Sequence, residues 1–158
     1  MISNDYDIFF SHRWTQKNVL QYVKYQLTGC NYKVWYDEVD MGNHLRAEMK
    51  GGINHSKVVL VALSKSYLGS SNCKFELEYA NKTGKRIVTI LTEKEPWKAW
   101  TEKEKNEFPH ANEYVRKLEA ANGALNDTLD FSVVVGRDGW NDPDKIVNNS
   151  PAVSARNI

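Results

Sequence analysis

Cysteine is scarce in this sequence of 158 residues, which contains only Cys30 and Cys73. The two cysteines are far apart and form no CxxC pair, so the pattern predicts neither a disulfide framework nor a zinc site. The four histidines show no metal-ligand spacing either. We therefore expect a protein that binds no metal and that occupies a reducing compartment.

An excess of one charge and a long apolar run are also missing. Lys and Arg together number 21 against 20 Asp and Glu, a formal net charge of +1, which argues against a dedicated nucleic-acid partner. No stretch approaches the roughly 18 apolar residues of a membrane-spanning helix. The first apolar run begins at Tyr6, which leaves no room for the charged and apolar regions of a signal peptide. These features favour a cytoplasmic protein.

Several catalytic motifs are absent as well. No GxGxxG follows a predicted strand and no GxxxxGK[ST] occurs, so neither a Rossmann dinucleotide site nor a P-loop is predicted. There is no GxSxG nucleophile elbow. The third predicted strand ends in Ala62, Leu63 and Ser64 rather than in the aspartate that a phospho-accepting receiver domain requires by analogy.

Apolar runs alternate with amphipathic segments along most of the chain. Five short apolar runs separated by helical segments predict right-handed βαβ units and a parallel sheet that is covered on both faces. We expect a flavodoxin-like, three-layer αβα fold with a five-stranded parallel sheet of order 2-1-3-4-5. This domain is predicted over residues 1–147, with a polar tail over 148–158. The predicted strands are residues 8–10, 33–36, 58–63, 87–91 and 131–135, and the predicted helices are 16–27, 45–53 with a soft end at 51–52, 73–82, a short surface helix within 93–107, and 109–123.

The predicted strand order places a crevice at the carboxyl ends of strands one and three. The segments that reach it are residues 11–16, 37–43 and 64–72. Arg13 offers a planar cation for phosphate, and Trp14 offers a stacking surface for a base. Each, taken alone, is also typical of an ordinary surface arginine beside a half-buried tryptophan, but several loops converge on the same edge.

Two glutamates of the helix over 73–82 are predicted to point in different directions. Residues 73, 76, 77 and 80 share one helical face, so Glu76 lies on the apolar stripe. Glu78 shares the polar face with Lys74 and Lys82, which predicts an ordinary solvated ion pair. Glu76 is either a boundary carboxylate that reaches past the stripe or a partly buried carboxylate at the cleft edge. The latter tends to have a raised pKa and marks a candidate site.

Four segments resemble those of Toll/interleukin-receptor (TIR) domains. Residues 6–13 (YDIFFSHR) resemble the first conserved box of that family, and residues 34–42 (VWYDEVDMG) resemble its BB loop. Residues 52–56 are similar to the end of the following helix, and residues 70–80 (SSNCKFELEYA) are similar to the αC motif. The resemblance is in the family's order and extends from residue 6 to about residue 91.

The resemblance implies two activities, which are cleavage of NAD+ at the nicotinamide–ribose bond and non-catalytic association of one TIR domain with another. In the enzymatic members the glutamate three residues after the αC cysteine is catalytic, and that position is Glu76 here. NAD+ would then be the substrate, with no further cofactor. The neutral nicotinamide needs no general acid to leave, so a lone carboxylate that stabilises the ribosyl cation suffices.

The resemblance also assigns supporting residues. His12, Arg13 and Asp37 would line the nucleotide pocket, and Trp14 is added from the loop argument above. Many active members have a tryptophan four residues before the catalytic glutamate, where this chain has Asn72, so the pocket lacks that stacking surface. The BB loop would dock on a neighbouring copy and shape the pocket. Its residues are Asp37, Glu38, Val39, Asp40, Met41 and Gly42.

Overall fold

Five parallel strands form one sheet in a computed structural model that describes residues 5–13, 17–36, 46–125 and 127–130. The strand order is β2-β1-β3-β4-β5, and every neighbouring pair is parallel. The predicted fold class and strand order are therefore confirmed. The strands are β1 (Tyr6–Ser11), β2 (Val34–Tyr36), β3 (Ser56–Leu63), β4 (Arg86–Leu91) and β5 (Thr128–Asp130).

Helices cover both faces of this sheet, as crossover connections between parallel strands require. Among the residues that the structure describes, no helix is long and apolar enough to cross a membrane. The helices are α1 (Lys17–Gly29), α2 (Arg46–Asn54), α3 (Lys65–Gly69), α4 (Ser71–Lys82), a 3₁₀ turn (Pro96–Ala99), α5 (Glu102–Glu107) and α6 (Pro109–Ala120).

The core has two halves, one on each face of the sheet. Successive side chains of a strand point to opposite faces, so β3 sends Val59 and Val61 to one half and Leu60 to the other. The first half packs beneath α2, α3, α4 and α6, and the second packs beneath α1. Residues 59–63 of β3 are all buried, which is why this part of the strand is an unbroken aliphatic run.

Several predicted segments differ from the structure. The fifth strand begins at Thr128 rather than Phe131, and residues 131–135 lie outside the described part of the chain. The predicted loop over residues 64–72 contains α3, which begins because the Ser64 side chain accepts a hydrogen bond from Tyr67 N. The predicted surface helix within 93–107 is instead the 3₁₀ turn followed by α5.

Trp97 and Trp100 were expected on that surface helix but are buried, at 5% and 4% exposure. Trp97 packs beside Gly123, and Trp100 Nε1 donates to Asn112 Oδ1 at 2.9 Å. Most of the charged residues around them, in the segment 93–98 and in α5, are exposed. Both indoles therefore anchor the 3₁₀ turn to α6 and its end.

Candidate functional site

A cleft of about 330 Å³ opens at the carboxyl ends of β1 and β3, where the strand order reverses direction. This edge is where ligands bind in open parallel sheets. The cleft connects the residues that follow β1 with the bend between α3 and α4. Its lining residues are His12, Arg13, Gly69, Ser70, Ser71, Asn72 and Cys73.

Ser70 positions the α4 end of this cleft. Its backbone N–H donates to Tyr67 O and closes α3, while its side chain accepts from Cys73 N at 3.3 Å and opens α4. One residue thus ends one helix and begins the next. The N-terminus of α4 consequently lies at the cleft, where its partial positive charge favours an anionic group.

His12 and Arg13 form the β1 side of the cleft. His12 is 2% exposed, its Nδ1 donates to Phe10 O at 3.2 Å, and its ring lies 4.7 Å from the Phe10 ring. Cys73 Sγ donates to His12 O at 3.7 Å, which joins the end of β1 to the first turn of α4. Arg13 is exposed, so a cation faces solvent beside the positive end of a helix.

Glu76 lies one helical turn after Cys73 and is completely buried, at 0% exposure. Its Oε1 accepts a hydrogen bond of 2.8 Å from Ser11 Oγ, and Ser11 Oγ lies 2.7 Å from the hydroxyl of Tyr67. The sequence pattern placed Glu76 on the apolar face and left two alternatives, a boundary carboxylate that reaches past the stripe or a partly buried carboxylate at the cleft edge. The structure buries it more deeply, behind the residues that line the cleft.

Glu78 is not the solvated member of an ion pair that the sequence predicted. Its carboxylate accepts hydrogen bonds from His110 N at 2.7 Å and from Ala111 N at 2.9 Å. These are the second and third residues of α6. Glu78 therefore caps the N-terminus of a neighbouring helix, because α4 packs against α6 at this position, while Lys82 of the same polar face is exposed.

The structure brings three of the predicted substrate-binding residues, His12, Arg13 and Asn72, to the same cleft. Within the described ranges, no group of three or more His, Cys, Asp or Glu is arranged to hold a metal ion. The remaining predicted site residues, which are Trp14, Asp37, Glu38, Val39, Asp40, Met41 and Gly42, lie outside the described residues.

Sequence reasoning missed Ser11 and Tyr67, the two hydroxyl residues behind the cleft. Ser11 could have been found, because it is the last residue of a strand that ends at the predicted crevice. Tyr67 gave no such signal. It lies in α3, which was not predicted because the surrounding sequence is polar.

The sheet order and the cleft at the β1–β3 edge define a flavodoxin-like α/β domain with a crevice at the switch point of the sheet. Within that class, the family model of the TIR domain matches residues 8–121. The chain therefore belongs to the TIR-domain family.

Two solved structures are similar to the chain, and the first of them agrees with this fold. The TIR domains of the activated Roq1 resistosome, which directly recognises the pathogen effector XopQ, match with a TM-score of 0.60 at 16% identity, covering 91% of this chain and 98% of that chain. The TIR domain of the Toll-related receptor TRR-2 from Hydra magnipapillata matches with a TM-score of 0.49 at 17% identity, covering 70% of this chain and 98% of that chain. No curated protein matches the chain in sequence.

Proposed function

We propose that this TIR domain cleaves NAD+ at the nicotinamide–ribose bond and releases nicotinamide with ADP-ribose or a cyclised ADP-ribose. The observation that carries the proposal is Glu76, a fully buried carboxylate that Ser11 holds behind a cleft at the switch point of the sheet. Burying a carboxylate is costly unless it is hydrogen-bonded. A core position with only a packing role favours an apolar residue, so the cost of Glu76 supports a chemical role.

The cleft offers a matching place for the anionic part of the substrate. The N-terminus of α4 and the exposed guanidinium of Arg13 both favour the diphosphate of NAD+. His12 and Asn72 line the same cleft and would contact the nucleoside beside it. With the diphosphate bound beside Arg13 and the N-terminus of α4, the nicotinamide ribose would extend toward Glu76.

The reaction needs stabilisation of positive charge rather than an acid. As the bond between ribose C1′ and the nicotinamide nitrogen breaks, its electron pair stays with nicotinamide, which leaves as a neutral molecule. The ribosyl group develops an oxocarbenium-like charge, and the Glu76 carboxylate stabilises it. Water then adds at C1′ and loses a proton to give ADP-ribose, or an adenine nitrogen adds there to give the cyclised product.

Glu76 must approach the substrate for this chemistry. Since its side chain is 0% exposed, contact requires a change in its rotamer or in the residues that cover it. We infer that the described arrangement is the resting state of the site. Binding of NAD+ would then supply the free energy for the rearrangement.

Replacement of the carboxylate tests the proposal. We expect Glu76→Gln to lower nicotinamide release by at least about a hundredfold, because the amide keeps the shape but not the charge that stabilises the ribosyl cation. Purified protein is incubated with NAD+, and nicotinamide is measured by chromatography. Glu107→Gln, at an exposed position of α5, is the matched control and should retain full activity.

Two results would contradict this proposal. A parent protein that releases no nicotinamide at any protein concentration would remove the enzymatic function. A Glu76→Gln variant as active as the parent would remove the assignment to this carboxylate. Thermal unfolding of both variants distinguishes lost chemistry from a lost fold.

The second candidate function is a non-catalytic scaffold that signals through association of TIR domains. The covered position of Glu76 favours it, because a carboxylate that never reached the cleft could not act on a substrate. The likeness to the TIR domains of an activated resistosome is consistent with assembly. A parent protein that self-associates in light scattering but leaves NAD+ intact would support this candidate.

A further inference from the structure

Three buried polar side chains from three different elements meet behind the cleft. Ser11 ends β1, Tyr67 lies in α3 and Glu76 lies in α4. Ser11 Oγ is 2.7 Å from the Tyr67 hydroxyl and 2.8 Å from Glu76 Oε1, and all three residues are 0% exposed. The hydroxyl of Ser11 therefore connects the Tyr67 hydroxyl to the Glu76 carboxylate.

The chemistry of the groups fixes the direction of these hydrogen bonds. Ser11 has a single hydroxyl hydrogen, which it donates to Glu76 Oε1. The short contact with Tyr67 must then use the phenol hydrogen, so Tyr67 donates to Ser11. The two hydrogen bonds therefore run in the same direction, from Tyr67 through Ser11 to the carboxylate, and bonds aligned in this way polarise and strengthen one another.

We propose that Ser11 and Tyr67 are positioning residues, which keep the Glu76 carboxylate in one orientation while the residues that cover it move aside, so that it faces the ribosyl group when the site opens. This inference rests on the proposed function. A purely structural explanation is less economical, because Cys73 Sγ already joins α4 to the end of β1 through His12 O. Three apolar side chains at these positions would also hold β1, α3 and α4 together without the cost of burying polar groups.

Removal of either hydroxyl tests this role in the parent chain with NAD+ as substrate. We expect Ser11→Ala to lower kcat about ten- to hundredfold, since it removes a hydrogen bond to a charged group. Tyr67→Phe should lower kcat less, because it acts through Ser11. KM should stay within about twofold in both variants, since the diphosphate contacts at Arg13 and α4 are untouched.

Matched controls remove equivalent hydroxyls elsewhere. Ser56 is 0% exposed and donates to Gly52 O at 2.7 Å at the other end of the sheet. Tyr114 is hydrogen-bonded to the Thr89 hydroxyl between α6 and β4. Ser56→Ala and Tyr114→Phe should lower the melting temperature as the test variants do, but they should leave kcat unchanged.

The double variant Ser11→Ala/Tyr67→Phe tests whether Tyr67 acts through Ser11 or contributes to kcat independently of it. If Tyr67 acts through Ser11, kcat of the double variant equals that of Ser11→Ala alone. Multiplicative losses would overturn the proposed route from Tyr67. A Ser11→Ala or Tyr67→Phe variant with parental kcat would overturn the positioning role while nicotinamide release by the parent still supported the proposed function. If Ser11→Ala does not fold, the kcat of Tyr67→Phe alone tests the positioning role. A parent protein without activity overturns both the proposed function and the positioning role.

Discussion

Glu78 lies two residues after Glu76 and stabilises a different part of the molecule. The first backbone N–H groups of a helix have no acceptor within that helix. In α6 the N-cap position is Phe108, whose side chain cannot accept a hydrogen bond, so His110 N and Ala111 N donate to Glu78 instead. The negative charge also complements the positive end of the α6 dipole.

We expect Glu78→Ala to lower the free energy of unfolding by about 1 kcal/mol, as loss of a helix cap does, and the melting temperature by about 2–4 °C. Glu78→Gln keeps an oxygen acceptor and should lose less. Thermal unfolding measures both. NAD+ cleavage well below the melting temperature should be unaffected, and an unchanged melting temperature for Glu78→Ala would contradict the capping role.

The two glutamates also show what a residue pattern can and cannot predict. The spacing of residues 73, 76, 77 and 80 correctly placed Glu76 on the apolar face, because periodicity is a local property of α4. The partner of Glu78 lies 32 residues further along the chain at His110, so no local pattern indicates it. The contact of Glu76 with Ser11, which lies 65 residues earlier in the chain, was unpredictable for the same reason.

At the scale of elements, α2 approaches the sheet closely at Gly52. This glycine is buried against Phe9 and Trp35, whose rings are stacked with centroids 4.7 Å apart. A Cβ added at Gly52 would lie 2.8 Å from Phe9 Cε2 and 3.1 Å from Trp35 Cδ2. The absence of a side chain therefore sets how near α2 lies to β1 and β2.

The adjacent glycine provides a matched pair for a prediction. We expect Gly52→Ala to destabilise the fold by about 1–3 kcal/mol through overpacking. Gly51→Ala meets nothing within 4 Å and should stabilise the fold by up to about 1 kcal/mol through helix propensity. Denaturant unfolding measures both variants, and shifts of the same sign would contradict the close approach at Gly52.

Element prediction from the sequence succeeded where burial and periodicity coincide. β3 and α4 were predicted because β3 is buried from residue 59 to residue 63 and α4 has one apolar face. The predicted soft helix end at residues 51–52 was wrong, because α2 continues to Asn54. Glycine lowers helix propensity, but here the contact with Phe9 outweighs that preference. The segment around Trp97 was misassigned as a surface helix because most of its residues are charged, although its two indoles are buried.

At the scale of the whole molecule, the described cleft is small for the proposed substrate. Its volume of about 330 Å³ lies near the lower end of ligand pockets, which range from roughly 300 to 1,000 Å³. NAD+ contains two nucleosides joined by a diphosphate and needs more space than one such cleft. Glu76 is covered as well. The proposed reaction therefore requires that this cleft opens further or that another copy completes it.

We expect a neighbouring copy to contribute to that completion, as the resemblance of residues 37–42 to a BB loop implies. Nicotinamide release should then rise faster than linearly with protein concentration. A mixing experiment separates assembly from simple activation: Glu76→Gln protein, inactive itself, is added to a fixed amount of parent. Inactive copies should raise the activity of the parent, because they supply the neighbouring surface without supplying a carboxylate. Light scattering on the same samples measures association, and strict proportionality with no gain on mixing would mean that each domain opens its site alone.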